Sequence, residues 1–227
     1  MTVPEPPWWA PRKAPRAALS REAIVDAAID LLDREGIKGF SMRKLAEALN
    51  TGPASLYWHV TGKGQLFEMI VDRLVEREGQ LELGGRSWQE QIAAWARQVR
   101  RVGREHPWIT APEADVWPTG PNVLRGNEKL LGALRASGMP DRVAAIAMHL
   151  LPLFVVAFVR DELQRFRVED DAEEVVERVG SYFESLPGDQ FPNMKALAGD
   201  ITGAGWDERF ELVLGIFIAG LAAQAHR

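Results

Sequence analysis

The sequence predicts an all-α protein: three short helices at the N-terminal end, then a fourth leading into a larger helical domain. Three observations carry this. Apolar residues recur at steps of three and four along most of the chain. Ser, Pro and Gly stand where helices of that period need caps and stops. No segment alternates with the period of two that a half-buried strand requires, and there is no internal repeat.

Residues 1–18 hold five prolines and three basic residues, the composition of a flexible arm. Ser20 caps the first helix, whose Ile24, Ala27, Ala28, Leu31 and Leu32 share one face until Gly36 stops it. Ser41 caps a short second helix with Leu45 and Leu49 inward. Asn50-Thr51-Gly52 makes a tight turn, and Pro53 opens a third helix, where its missing N–H costs nothing, running to about His59. A fourth follows Thr61-Gly62, with Leu66, Phe67, Ile70, Val71 and Leu74 inward, and is expected to end near Gly84-Gly85. Ser87 to Glu90 is a capping box for a fifth, in which Trp88, Ile92, Trp95, Val99 and Val102 line one side and Pro107 is the stop. The Pro- and Trp-rich stretch 107–121 predicts a short helix with irregular flanks. The next helix runs from about Pro121 to Ser137, stopped by Gly138. Another from about Pro140 to Arg165 is apolar nearly all round in its second half; it is therefore expected to be buried, with a kink at Pro152. A charged helix at about 170–185, a Pro/Gly-rich loop over 187–205 and a last helix from Trp206 to Ala225 complete the chain.

Composition narrows the function. The 227 residues are 46% hydrophobic and 26% charged, as in ordinary soluble proteins, and no cysteine is present, which removes disulfides, thiolate metal sites and thiol catalysis. The N-terminus lacks the apolar core of a secretory signal. The longest apolar run, Ala144 to Val159, has 16 residues, short of the roughly 20 that span a bilayer, so no membrane association is expected. Net charge is −5, yet residues 1–70 carry nine basic and eight acidic side chains while the rest carries 18 and 24. Screening makes the local balance decisive for phosphate contact, so the N-terminal end is the one suited to nucleic acid. There is no phosphate loop, no paired His/Glu metal spacing and no serine nucleophile with an evident partner, so no enzyme is expected.

Short helices with a three-residue turn between the second and third make a helix-turn-helix, a unit that braces one helix into the DNA major groove. Its residues carry a family likeness. Ser41-Met-Arg-Lys-Leu-Ala-Glu-Ala-Leu49, then Gly52-Pro-Ala-Ser-Leu-Tyr-Trp-His-Val60 and Lys63, resemble the DNA-binding domain of the tetracycline-repressor (TetR) family. The Leu-Tyr-Trp-His-Val string and the lysine after it are the most diagnostic part. The resemblance covers residues 20–75; beyond them Ser87-Trp88-Gln89 is similar to the start of the fifth helix in the tetracycline-repressor branch. It implies a dimeric regulator, in most cases a repressor, with an all-α ligand-binding domain.

Residue by residue, the resemblance places Arg43 where that branch reads a guanine, whose O6 and N7 a guanidinium can grip together; the alternative is a solvated charge beside Lys44. Pro53 and Ala54 begin the recognition helix and can touch a thymine methyl, although Pro53 is equally a helix starter. The related repressor has a polar residue at the Pro53 position, so a different operator is expected. Ser55, Tyr57 and His59 match positions that touch phosphate or bases, with a half-buried aromatic as the alternative for Tyr57. Leu56 and Trp58 are expected in the core. Lys63 and the helix N-terminus beneath it can share a phosphate. Arg12, Lys13 and Arg16 are read as solvated rather than as minor-groove contacts.

For the effector, the candidate lining is Trp95, Trp108, Trp117, Phe154 and Phe158, with polar anchors from His106, Asn122 and His149; each aromatic has core filling as its alternative. Aligned from Ser87-Trp88, Glu113 stands where the tetracycline repressor has a metal-coordinating histidine, so neither a metal, a cofactor nor chelated tetracycline is implied. In the last helix Phe210, Val213, Leu214, Phe217, Ile218 and Leu221 form a wide stripe, and Gly215, Ala219 and Gly220 permit close helix approach; with the helix from about Pro140 to Arg165 it could form a four-helix interface with a symmetry mate, the alternative being a purely intramolecular core.

The expectation is therefore a flexible arm (1–18), a helix-turn-helix domain (19–66) and a helical effector-binding and dimerisation domain (67–227). As a cytoplasmic homodimer it would repress transcription from palindromic, double-stranded operator DNA until released by a small hydrophobic molecule. The alternative is a TetR-like activator, or a constitutive DNA-binding protein without an effector.

Overall fold

A computed structural model describes residues 19–79, 85–114, 118–166, 172–203 and 205–225; they contain eleven α-helices and no strand. In order these are α1 (Arg21–Gly39), α2 (Met42–Ala48), α3 (Pro53–Tyr57), α4 (Lys63–Glu78), α5 (Trp88–Glu105), α6 (Pro121–Ala136), α7 (Asp141–Phe166), α8 (Ala172–Ser185), α9 (Pro192–Ala196), α10 (Ala198–Gly203) and α11 (Trp206–Ala225). Two tight turns of 3₁₀ type, Pro107–Thr110 and Pro112–Ala114, lie between α5 and α6. The chain divides into two compact units, Met1–Ile70 and Val71–Arg227.

In the first unit the local chemistry sets each boundary. The Ser20 hydroxyl accepts from the Ala23 N–H at the start of α1, and Gly36, at φ +68°, interrupts that helix before its last turn. Ser41 likewise accepts from the Lys44 N–H to begin α2. At the end of α2, Asn50 takes φ +51° while its N–H donates to the Glu47 carbonyl and the Thr51 N–H donates to that of Ala46. This pair of bonds closes a helix through one left-handed residue, and asparagine accepts that conformation better than most side chains. Ile24, Leu32, Leu45, Leu56, Val60, Leu66, Phe67 and Ile70 are the buried apolar side chains that four short helices need to hold together.

The second unit is built on α5, α6, α7 and α11. Its core holds Ile92, Ala96, Leu134, Leu151, Val155, Val159, Phe210 and Leu214. The Ser87 and Glu90 side chains form the reciprocal capping box that starts α5. α6 has no cap of its own. The Asp72 carboxylate of α4 supplies one, accepting from the backbone N–H groups of Asn122 (2.8 Å) and Val123 (3.0 Å) and from Asn122 Nδ2 (2.8 Å). A Cβ on Gly120 would lie 2.3 Å from that carboxylate, so glycine there makes room for the cap.

Polar side chains join α5 to its neighbours. Arg97 grips Glu211 of α11 with two hydrogen bonds, and Arg101 pairs with Glu78 of α4. Arg100 reaches Glu162 of α7 through Nε and Nη2 (3.0 and 2.8 Å) and Asp207 of α11 (2.7 Å). Glu162 is only 1% exposed and Arg100 8%. The same guanidinium lies 4.6 Å from the Phe210 ring centre.

Three sequence expectations need correction. α4 ends at Glu78, six residues early, because Gly79 adopts φ +74°. The stretch 187–205 is not simply a loop: α9 and α10 form within it, Pro192 opening the first. α7 is one continuous helix that contains Pro152. It is also not buried all round: Ala144, Ala147, Leu151, Val155, Val159 and Glu162 form one inward stripe, while Ile146, Leu150 and Leu153 face outward. By length and composition alone α7 would pass for a bilayer span; the inward stripe marks it as a core helix with a second, uncovered apolar face.

Candidate DNA-binding and effector sites

The exposed surface of the helix-turn-helix is set by which side chains the three helices bury. α3 turns Leu56 inward, and Val60 beyond it is buried as well. That orientation leaves Pro53 and Ala54 fully outward at the start of α3, Tyr57 52% exposed, and Ser55 and His59 half-buried. Arg43 projects from α2 with its side chain 80% exposed, held loosely by Glu47 one turn on (3.6 Å). Neighbouring Lys44 is committed elsewhere: its ammonium donates to Glu35 at 2.6 Å, and that bond holds the Glu35 carboxyl below its ordinary value. Arg43 therefore has a carboxylate partner that it can exchange for a base at little cost, since an exposed pair of this kind contributes only about 0.3–0.5 kcal/mol.

Trp58 departs from expectation. It is not in the core: α3 ends at Tyr57, Trp58 is its cap, and the indole is 88% exposed. Of the two residues expected in the core, Leu56 is buried and Trp58 is not. The early end of α3 was the missing signal.

Lys63 begins α4. Its start is fixed by Gln65, whose side-chain oxygen accepts from the Thr61 N–H at 2.6 Å. The ammonium lies 5.6 Å from the Phe40 ring centre and 5.4 Å from that of Phe67. The arm residues Arg12, Lys13 and Arg16 lie outside the described residues.

Seven of the eight effector candidates lie among the described residues, on α5, α6, α7 and the turn between α5 and α6. Phe154 stacks on Phe210 and Phe217 at 5.9 and 6.0 Å, and Phe158 meets Phe210 and Trp206 edge to face at 5.2 and 5.7 Å. Both pack α7 on α11. Trp95 packs half-buried against the same core. His106 and Trp108 sit together after α5, ring centres 5.8 Å apart, with Trp108 buried. Asn122 serves the Asp72 cap, and His149 is exposed on α7. Trp117 lies outside the described residues. Two cavities of about 400 Å³ open beside α5, one under Arg97, Arg100, Arg101 and Arg104 and one beside Arg86, Ala93 and Ile218; among the described residues neither lining includes an effector candidate. Among the described residues no three His, Asp or Glu side chains come together to hold a metal ion.

Comparison with known proteins gives this architecture its context. Residues 24–70 match the family described as bacterial regulatory proteins, tetR family, and residues 82–225 match the tetracyclin repressor-like C-terminal domain. A transcriptional repressor of Streptomyces coeruleorubidus, DrrR1, is 32% identical over 204 residues, covering 87% of this chain and 75% of its own. The solved structure of apo ActR from Streptomyces coelicolor is 37% identical and superposes with a TM-score of 0.82 over 92% of this chain and 98% of that one. ActR in complex with actinorhodin is 36% identical, with a TM-score of 0.83 over 93% and 100%. The chain belongs to the TetR family of DNA-binding transcriptional regulators.

Proposed function

We propose that the protein is a cytoplasmic repressor that holds a palindromic operator as a homodimer and lets go when a small hydrophobic molecule enters its second unit. The observation that carries the reading is the outward face of the helix-turn-helix, on which Arg43, Pro53, Ala54, Tyr57 and Trp58 stand exposed around the buried Leu56. Arg43 reads a guanine, Pro53 and Ala54 lie against a base edge, and Ser55, Tyr57, His59 and Lys63 hold phosphates to either side.

Pairing rests on α7 and α11. Ile146, Leu150 and Leu153 on the one, and Leu212, Val213 and Ile216 on the other, are exposed large apolar side chains, with Gly215, Ala219 and Gly220 exposed beside them. A twofold axis through such faces sets two recognition helices about 34–36 Å apart. Release by a hydrophobic molecule is supported by the similarity to ActR, whose solved complex holds actinorhodin, and by the aromatic interior between α7 and α11. A ligand releases DNA only if it binds the free state better than the bound one, which in this unit means repacking those rings.

Selection of bound duplexes from random DNA tests the reading. The expected product is a palindrome of about 15 base pairs, and Arg43→Ala should lose roughly 1–3 kcal/mol at one base pair of each half-site. Equal weakening on every sequence would demote Arg43 to a phosphate contact. Indifference of the complex to a panel of hydrophobic compounds would replace the inducible repressor with a constitutive DNA-binding protein.

A further inference from the structure

We infer that Phe40 and Phe67 are positioning residues for DNA binding: together they form an aromatic platform that holds the Lys63 ammonium in place, fully charged, for a DNA phosphate. The inference rests on the reading of the helix-turn-helix as the DNA-binding face and extends it to two side chains that never touch DNA.

Arg43, Lys44 and Lys63 are held in two different ways. Arg43 and Lys44 each pair with a carboxylate, Glu47 and Glu35. Lys63 makes no ion pair or hydrogen bond among the described residues; it faces two rings, 5.6 and 5.4 Å from their centres. The chemistry of the two arrangements differs. A carboxylate orders an ammonium but cancels its charge and must be displaced before a phosphate can bind. The face of an aromatic ring attracts the ammonium through its quadrupole and cancels nothing, leaving N–H donors directed away from the rings. A long lysine side chain otherwise loses rotamer freedom when it binds, and prior ordering removes part of that cost.

The platform is rigid and comes from two places in the chain. Phe40 closes α1 immediately ahead of the α2 cap Ser41, and Phe67 lies one turn beyond Lys63 on α4. Both rings are buried, 6% and 1% exposed, and they meet edge to face at 6.0 Å. The first residue of α4 is thereby tied to the α1–α2 junction. Its ammonium is added to the partial positive charge of a 16-residue helix N-terminus, which together favour an anion.

The test uses the full-length protein, a duplex obtained by selection from random DNA, and a scrambled duplex of equal length. Replacing Phe67 by mono-, di- and trifluorophenylalanine keeps the ring's shape while draining its face of negative charge. Affinity for both duplexes should fall stepwise, by roughly two- to five-fold in all, the size that one cation–π contact supports, with an unchanged thermal midpoint. Lys63→Met should weaken both duplexes and reduce the slope of log affinity against log salt by about one. In the Lys63→Met background the fluorinated series should have no effect. An equal loss with and without Lys63, or none in either, overturns the platform. Failure of the unmodified protein to bind any duplex would instead refute the DNA-binding reading itself.

Discussion

Asn50 carries the turn between α2 and α3 on a single left-handed residue, φ +51°, braced by two backbone hydrogen bonds. A β-branched side chain there meets its own carbonyl. Asn50→Val should therefore lower stability by about 1–2 kcal/mol, whereas Asn50→Gly should stay within about 0.5 kcal/mol of the parent; urea unfolding of both variants checks the pair. Single residues were also where the sequence was easiest and hardest to read. Ser20, Ser41, Ser87 and Gly138 are local signals, since a cap or a positive φ concerns only the neighbouring turn, and each stands at a helix boundary; Gly36, expected to stop the first helix, lies inside α1, three residues before its end. Trp58 was illegible for the opposite reason. Whether an indole at the end of a five-residue helix points in or out depends on where that helix stops and on what Leu56 already fills.

Among elements, one buried ion pair, Arg100 with Glu162, joins α5 to α7. Arg100→Met leaves the Glu162 carboxylate buried with, among the described residues, only the Arg104 guanidinium at 3.8 Å in place of a two-bond grip. The expected cost is about 3–5 kcal/mol. The double variant Arg100→Met, Glu162→Leu removes both charges and should return to within about 1 kcal/mol of the parent, because the pair's own attraction does little more than offset its desolvation. Denaturant titrations of the single and double variants decide it; equal losses in both would mean that Arg100 matters for packing over Phe210 rather than for Glu162. Neither this pair nor the Asp72 cap of α6 was visible in the sequence. Arg100 and Glu162 are 62 residues apart and Asp72 and Asn122 are 50, so no local pattern connects them. Helix existence was legible along nearly the whole chain because amphipathic period is local. α9 and α10 were missed since five- and six-residue helices hold too few turns to display one.

For the whole molecule, the outward apolar faces of α7 and α11 are the feature with the widest reach. Ile216 is 63% exposed in the single chain, so Ile216→Glu disturbs nothing inside it. At the centre of a twofold interface the same change buries two like charges. Sedimentation should show the parent as a dimer and the variant as a monomer of native helix content, with the thermal midpoint of the parent rising with protein concentration. A variant that stays dimeric would move the interface off α11. The sequence stripe of the last helix named Phe210, Leu214 and Leu221, which are spent on the protomer's own core, and left out Leu212 and Ile216, which stand exposed beside Val213. Pairing through these faces would also shape the genetic response. With a pair of chains as the binding species, DNA occupancy at low expression follows the square of protomer abundance, so halving the protein leaves a quarter of the complexes. A cell diluting this regulator by growth would thus relieve its target gene abruptly rather than in proportion, a nonlinearity that comes from self-association and needs no effector.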